Sequence, residues 1–176
     1  MTTITRATVK DAALLVEIGR ASFIDSHGMS APKKDIDAYL EEKFNEVTFS
    51  EELQDANNHF YILYYNEVPI GYSKIIFNFT HVNVPFKNVA KLERLYLLKE
   101  YHHLQLGREL FNFNVKVSIA HHQAGMWLYV WTENTKAFNF YVKSGFKIIG
   151  NYDFKISETH SNPNFQMLLT FEARTA

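Results

Sequence analysis

Two segments of this 176-residue chain carry residue types from which a group-transfer site could be built. The first, residues 92–110, predicts a strand, a short loop and a helix that starts near Gly107. Backbone N–H groups in the first turn of a helix have no intrahelical acceptor and lie at the positive end of the helix dipole. Gly107 would let an anion approach them without a Cβ in the way. This arrangement predicts a diphosphate site, although a structural turn would also explain a lone glycine.

The second segment, residues 128–146, has a more specific pattern. A buried strand is followed by Asn134, by an amphipathic helix with a Phe-Tyr pair ending at Tyr141, and by a Gly-Phe pair beginning at Gly145. This order of residues resembles the GNAT superfamily of N-acetyltransferases. The continuation over residues 150–154 is similar to the bacterial spermidine/spermine N-acetyltransferase branch of that superfamily.

The resemblance covers nearly the whole chain, from Ile4 to Phe171, with one departure in the phosphate loop. GNAT proteins usually carry Gln or Arg, two further residues, Gly, any residue, and then Gly or Ala. In this chain those positions hold His102, Gln105 and Gly107, so only the last is kept. Coenzyme affinity is the property that this substitution affects.

The resemblance implies the α/β GNAT fold for a single domain over residues 1–176. The fold is a mixed, mostly antiparallel sheet of six or seven strands, flanked by helices. Its centre is a parallel pair, Ala90–Leu98 and Gly125–Trp131, that splays apart, and Thr80 to Asn88 is expected to be a loop. Hydrophobic periodicity predicts the other strands at 4–7, 59–65, 70–79, 146–152 and 165–171, and helices at about 12–27, 32–44, 49–56, 107–123 and 135–144.

The resemblance also implies acetyl-CoA, or coenzyme A after transfer, bound in the gap between the parallel strands. The pantetheine arm would pair with the main chain of Leu95 and of Leu97, whose N–H would also stabilise the oxyanion. The pyrophosphate would lie on the amides from Leu104 to Arg108, provided that Gln105 holds a helical or bridge conformation. The full implied coenzyme set is Leu95, Tyr96, Leu97, His102, His103, Leu104, Gln105, Leu106, Gly107, Arg108, Asn134, Lys136, Phe138, Tyr141 and Lys143.

Acetyl transfer to an amine requires two proton movements. An alkylammonium has a pKa of about 10.4 and must lose a proton before it attacks. Glu93 is the first candidate base, directly or through water, and Glu133 and Asp153 are the others. An ion pair beside Arg94 would explain Glu93 equally well. Tyr141 matches the family's general acid, which would protonate the departing thiolate.

Several of these residues have a structural explanation as well. Asn134 would either bond the coenzyme or cap the following helix. Lys136 and Lys143 would either meet the coenzyme's phosphates or remain solvated surface lysines. The histidine pairs at 102–103 and 121–122 are not expected to bind metal, because adjacent residues do not share a helix face and no Cys or carboxylate has ligand spacing.

Composition narrows the class of protein. The net charge is −1 and the pI is near 6.7, so the chain has no electrostatic footprint for nucleic acid or anionic lipid. The chain has no cysteine, which excludes a disulfide framework, a thiolate zinc site and a cysteine nucleophile. We see no signal peptide and no apolar run of the roughly 18 residues that cross a bilayer, so a cytoplasmic location is expected.

These observations predict an acetyl-CoA-dependent N-acetyltransferase that acts on a primary amine of a small molecule, with polyamines first. A protein lysine or N-terminal acetyltransferase is the second hypothesis, and a non-catalytic acyl-CoA-binding module is the third. A small-amine enzyme should have a closed acidic pocket, whereas a protein acetyltransferase should have an open cleft. The resemblance leaves room for a homodimer.

Overall fold

The computed structural model describes residues 1–171. Within them the strands are β1 (Thr2–Arg6), β2 (Asn58–Tyr65), β3 (Val68–Ile76), β4 (Val89–Leu97), β5 (Gly125–Trp131), β6 (Lys147–Ser157) and β7 (His160–Thr170). The helices are α1 (Ala12–His27), α2 (Lys33–Lys43), α3 (Glu46–Gln54), α4 (Leu106–Ala120) and α5 (Thr135–Lys143), with 3₁₀ turns at Val9–Asp11 and Lys99–Leu104. The strands form one seven-stranded mixed sheet in the order β1-β2-β3-β4-β5-β7-β6.

Helices cover both faces of this sheet, and each face has its own apolar core. On one face α1 presents Leu15, Ile18 and Phe23 at helical spacing, and they pack with Phe60 of β2 and Tyr72 of β3. The helices α2 and α3 complete this layer. On the opposite face α4 and α5 pack against the apolar side of the central strands. The paired parts of β4 and β5 are therefore covered on both faces, whereas β4 beyond Leu92 is only partly buried.

The parallel pair at the centre of the sheet is short. Residues 89–91 of β4 pair with residues 125–127 of β5, and α4 makes the crossover between the two strands. Beyond Lys91 both strands continue, β4 to Leu97 and β5 to Trp131, without further pairing to each other. The predicted splayed pair is thus confirmed, and its two inner edges face a gap.

A β-bulge lies on β4 beside this gap. Lys74 of β3 is opposite Arg94, but the next residue, Ile75, is opposite Leu92, so Glu93 is the extra residue. A bulge bends its strand and changes the direction of the neighbouring side chains. It therefore sets how Glu93 and Arg94 are presented at the gap.

The last two strands are longer than the sequence predicted. The expected strands at 146–152 and 165–171 are in fact the two arms of a hairpin whose turn lies between Ser157 and His160. Asn162 and Asn164 carry no apolar strand signal. Pro163 is tolerated because β5 ends opposite Asn164 and the one backbone hydrogen bond beyond it, from Thr132 N at 2.9 Å, needs only the Pro163 carbonyl oxygen as acceptor.

Smaller differences have local causes. The third helix begins at Glu46 rather than near 49, because the Asn45 side chain caps it by accepting a hydrogen bond from Thr48 N at 2.9 Å. The expected strand over 70–79 ends at Ile76. None of the helices in the described part of the chain combines the length and apolar composition that a bilayer crossing requires. The assignment of residues 1–176 to one domain stays a prediction.

Candidate active site

A cavity of about 740 Å³ opens where β4 and β5 separate. Its walls are residues 91–97 of β4, residues 129–131 of β5, one side of α1, and the first turns of α4 and α5. It reaches from the start of α4 on one side of the gap to the polar side chains of β7 on the other. The cavity thus extends from the N-terminus of α4 to the bulge at Glu93.

The first turn of α4 forms one end of this cavity. Within residues 1–171, the backbone N–H groups of Gln105, Leu106 and Gly107 make no hydrogen bond. A Cβ at Gly107 would meet only the Leu97 Cδ2 atom, at 3.9 Å, so the space in front of these amides is open. Free amides at the positive end of a helix suit a phosphate group.

Gln105 does not have the backbone conformation on which the predicted diphosphate site was conditional. That condition was a helical or bridge conformation, whereas the observed backbone is left-handed, with φ 57° and ψ 16°. This residue is where the chain leaves the 3₁₀ turn and enters α4, and the reversal needs a positive φ. The free amides are kept, with one exception: Arg108 N–H donates to Gln105 O at 3.1 Å and is not available for a phosphate.

His102 and Lys136 meet across the entrance to the gap. His102 Nε2 lies 2.8 Å from Leu97 O, and its Nδ1 lies 2.7 Å from Lys136 Nζ. Because an ammonium group only donates, Nδ1 is the acceptor and Nε2 carries the hydrogen that is donated to Leu97 O. The bridge places the Lys136 charge near the α4 amides, which fits an anionic ligand.

Tyr141 lines the cavity from α5. Its ring packs on Phe140 and Phe146, with centroid distances of 5.3 and 5.4 Å. Burial, and secondarily the neighbouring Tyr96 phenol, raise the pKa of Tyr141 well above its ordinary value of 10. The phenol therefore keeps its proton at neutral pH, as a general acid must.

Glu93 also lines the cavity, but its carboxylate is engaged. It forms an ion pair with Lys74 at 3.0 Å and lies 3.9 Å from Lys91 Nζ. Burial opposes the charged form, yet Lys74, Lys91 and Arg94 outweigh it and hold the pKa of Glu93 below its ordinary value. A carboxylate with a lowered pKa is a weak base.

Comparison with known proteins agrees with this geometry. Residues 22–146 match the model of the acetyltransferase (GNAT) family.

The chain belongs to the GNAT acetyltransferase family. The predicted family and fold are confirmed, and so is the predicted class, an acetyl-CoA-dependent N-acetyltransferase. An uncharacterized N-acetyltransferase of the pepI 3′ region in Lactobacillus delbrueckii subsp. lactis is 28% identical over 155 residues, 88% of this chain and 90% of that protein. A spermidine N(1)-acetyltransferase of Thermoplasma acidophilum is 26% identical over 145 residues, 82% of this chain and 88% of that protein.

Solved structures show the same fold. The PaiA N-acetyltransferase from Thermoplasma acidophilum, in complex with coenzyme A, superposes with a TM-score of 0.77 at 23% identity over 97% of this chain and 99% of that one. The ribosomal-protein-S18-alanine N-acetyltransferase from Escherichia coli superposes with a TM-score of 0.71 at 17% identity over 100% of this chain and 99% of that one. The seven-stranded sheet with its splayed parallel pair is therefore a GNAT sheet.

Most residues predicted for the GNAT site line the cavity. Besides Tyr141 and Glu93, they are Leu95, Tyr96, Leu97, His102, Gln105, Gly107, Arg108, Asn134 and Lys136. Asn134 also caps α5, because its side chain accepts from Ala137 N at 3.2 Å. The alternative base Glu133 lines the cavity too, whereas Asp153 on β6 does not.

Five residues of the predicted coenzyme set do not line the cavity: His103, Leu104, Leu106, Phe138 and Lys143. The Leu106 side chain is buried in the core with Leu63, Ile70 and Leu110, while its backbone N–H makes no hydrogen bond within the described residues. Phe138 packs on Phe165, at 5.2 Å between ring centroids. His103, Leu104 and Lys143 are exposed on the surface. Across residues 1–171, no group of three or more His, Cys, Asp or Glu side chains could hold a metal ion.

Sequence reasoning missed the wall of the cavity that faces away from Tyr141. Lys91, Tyr129, His27, Asn162 and Asn164 line it, and none was singled out as a site residue. The spacing of the two asparagines is a period-two signal that could have been found. The other three are isolated in sequence and come together only through the fold.

Proposed function

We propose that this GNAT enzyme transfers the acetyl group of acetyl-CoA to a primary amine of a small molecule. One observation carries the proposal: three free amides at the start of α4 open into the same cavity as the unpaired edges of β4 and β5. The first suits a diphosphate and the second suits an extended, amide-bearing arm. The coenzyme A bound to the PaiA structure supports this ligand.

The chain's own residues divide the work. The amides of Gln105, Leu106 and Gly107 bind the diphosphate, and Lys136 adds charge beside them. The main chain of Leu95, with its neighbours on β4, holds the pantetheine arm, while the coenzyme supplies the activated acetyl thioester. The diphosphate and the pantetheine amides of the coenzyme are thus bound mainly by backbone groups of the protein.

Tyr141 holds a proton in the same cavity and donates it to the departing sulfur. Because its pKa is raised, the acid form is present throughout the neutral range. Glu93 has a lowered pKa, and we infer that it orients a water that carries the amine's proton towards solvent instead of retaining the proton itself. A protonated phenol in the cavity also favours an enzyme over a non-catalytic binding module.

The identity of the amine that accepts the acetyl group is proposed separately. The resemblance favours a polyamine, and the name of the Thermoplasma spermidine acetyltransferase supports it. The structural likeness to an acetyltransferase of ribosomal protein S18 alanine keeps a protein N-terminus as the second candidate. The cytoplasmic location and the homodimer stay predictions.

Turnover of acetyl-CoA against a panel of amines tests the proposal. The panel contains spermidine, spermine, diamines, amino acids and an N-terminal peptide, and free thiol is measured alongside mass spectrometry of the product. We expect acetylation of at least one small amine and slower acetylation of the peptide. Coenzyme binding without acetylation of any amine would show that the chain is a binding module.

A further inference from the structure

The carboxylates of the cavity wall on the acceptor side already have partners. We use the term acceptor wall for Lys91, Glu93, Arg94, Tyr129 and Asn164, which line the cavity on the side away from Tyr141. Glu93 is paired with Lys74 at 3.0 Å. Nearby, the Asp25 carboxylate is paired with Lys99 at 3.0 Å. These acids are therefore poorly placed to bind a polyammonium substrate.

Counted together with Lys74 and Glu52, their ion-pair partners outside the cavity lining, the charged residues of the acceptor wall include more cations than acids. Arg94 makes two hydrogen bonds to Glu52, at 2.8 and 3.0 Å, and Lys74 bridges Glu52 and Glu93 at 3.0 Å each. Adding Lys91 gives three cations against two carboxylates, which leaves one positive charge. Because Lys74 and Arg94 have close partners, the excess charge belongs to Lys91.

Lys91 has no close counter-ion. Its nearest carboxylate oxygen, on Glu93, is 3.9 Å away, and within residues 1–171 its ammonium makes no hydrogen bond. The group lies over the rings of Phe79, Trp127 and Tyr129, at 4.9, 5.2 and 5.7 Å from their centroids. Ring faces attract a cation but leave its N–H donors without acceptors. Its side chain is 17% exposed, and an arriving anion would offset the cost of this burial.

The neighbouring strand adds neutral hydrogen-bonding groups. Gln166 is paired with Tyr129 and Asn164 with Trp131 across β5 and β7, so the two amides lie beside these aromatic rings on one face of the sheet. Both side chains are buried, and Asn164 lines the cavity whereas Gln166 does not. In the orientation that satisfies both ends of its amide, Asn164 donates to the main-chain oxygens of Asn162 and Pro163 at 3.1 and 3.3 Å, while Gln166 Nε2 has no hydrogen-bond partner within the described residues. These amides are neutral and bring no negative charge that would attract a second ammonium.

We propose that Lys91 binds a carboxylate on the acceptor, so that the preferred substrates are amino-acid-like: primary amines that also carry a carboxylate. This inference rests on the proposed function and names its substrate class. The amine lies towards Glu93 and the acetyl-carrying gap, while the carboxylate lies at the Lys91 ammonium. Lys91 is then the residue that distinguishes an amino acid from a bare polyamine.

Matched pairs of acceptors test this assignment. Tyrosine and tyramine differ only in the carboxylate, as do lysine and cadaverine, and spermidine represents the polyamines. We expect the wild-type enzyme to have a kcat/KM at least about tenfold higher for the carboxylate member of a pair. Lys91→Met should lower kcat/KM for that member by about 30-fold or more, since it removes the buried partner of a charge, and should bring the ratio within the pair close to one. Lys91→Arg should retain the preference.

The ratio within a pair separates binding from folding. In a misfolded Lys91→Met protein, kcat/KM would fall equally for both amines of a pair. Thermal unfolding with and without coenzyme A checks that the variant is folded. Lys87→Met, an exposed lysine in the neighbouring loop, is the matched control and should leave the ratio unchanged. The inference is overturned if spermidine or the decarboxylated amine is the better wild-type substrate, or if Lys91→Met keeps the wild-type ratio. Both of those outcomes leave the proposed function standing. If the enzyme acetylates none of the amines, both proposals are overturned.

Discussion

At the scale of single residues, the Tyr141 phenol is a group whose surroundings prepare it to donate a proton. Tyr141→Phe removes that proton and keeps the packing on Phe140 and Phe146. We expect kcat to fall by about 100-fold, the size of effect seen when a general acid is lost, with little change in coenzyme affinity. Steady-state rates and calorimetric titration with coenzyme A measure the two effects. Tyr64→Phe, on β2, is the control, and an unchanged kcat in Tyr141→Phe would show that another group is the acid.

His27 gives the fold a dependence on acidity. It is stacked between Phe23 and Trp131, at 4.8 and 5.6 Å, and burial lowers its pKa from 6.5 to about 4. The folded state therefore favours the neutral ring, whereas the unfolded chain takes up a proton as the pH falls below 6.5. The stability that His27 contributes is present above pH 6.5 and is lost between about pH 6.5 and 4.

The change His27→Phe keeps the stacking and removes this titration. Because each tenfold difference in proton affinity between the folded and unfolded states is worth about 1.4 kcal/mol, the wild-type protein should lose about 3 kcal/mol more than the variant over that pH range. Urea unfolding at a series of pH values measures the free energy of unfolding of both proteins. His103→Gln, at an exposed position, should follow the wild type, and parallel curves for wild type and His27→Phe would contradict the assignment.

The predicted site residues that line the cavity include several that belong to a local motif. Tyr141 and Asn134 belong to one short segment, and Gly107 opens a recognisable helix, so a single stretch of sequence indicated each of them. Lys91 and Asn164 come from strands far apart in sequence, and only sheet register brings them together. Gln105 lines the cavity, but its backbone is left-handed rather than helical or bridge-like, because the sequence did not reveal the reversal before α4.

At the scale of elements, α3 is tied to the sheet through one carboxylate. Glu52 accepts both Arg94 hydrogen bonds and meets Lys74, and the Arg94 and Lys74 side chains are only 12% and 6% exposed. Glu52→Gln leaves two buried cations with Glu93 as their one remaining acid. We expect the free energy of unfolding to fall by about 3–5 kcal/mol, the cost of breaking a buried ion pair by removing one partner.

Chemical denaturation of Glu52→Gln and Glu51→Gln measures this effect. Glu51 is exposed one position away on the same helix, so its change should cost less than about 0.5 kcal/mol. If the two variants unfold at the same denaturant concentration, the ion pairs do not hold α3 against β3 and β4.

Periodicity predicted the elements whose faces are apolar. The helices α1, α4 and α5 and the strands β2, β4 and β5 lie within a few residues of their expected positions, since each buries a regular hydrophobic face. The length of the β6–β7 hairpin was underestimated because its buried positions include the polar residues Asn162, Asn164 and Gln166. Because buried polar residues break the hydrophobic pattern, the sequence did not reveal the full length of these strands.

At the scale of the whole molecule, the sheet has a weak seam at its centre. Strands β4 and β5 are joined by pairs at residues 89–91 and 125–127 alone, and the cavity takes the place of the remaining ladder. The backbone groups along residues 92–97 of β4 and 129–131 of β5 lack strand partners at this seam. A ligand that fills the gap supplies hydrogen bonds to both sides and so joins the two parts of the sheet.

Coenzyme A should therefore stabilise the molecule and protect the seam specifically. At 100 times its Kd it should raise the free energy of unfolding by about 2.7 kcal/mol, and it should slow hydrogen exchange at the gap-facing parts of β4 and β5. 3′-Phosphoadenosine 5′-diphosphate, which keeps the diphosphate and lacks the pantetheine arm, should give its extra slowing of exchange, beyond global stabilisation, at the start of α4 and not along the gap-facing strands. In Gly107→Ala, the added Cβ fits the fold at 3.9 Å from Leu97 Cδ2 but obstructs the phosphate, so the same protection should require about tenfold more coenzyme. Equal slowing across the whole sheet would mean that the ligand stabilises the fold without lying in the seam, because a ligand bound elsewhere protects by mass action alone.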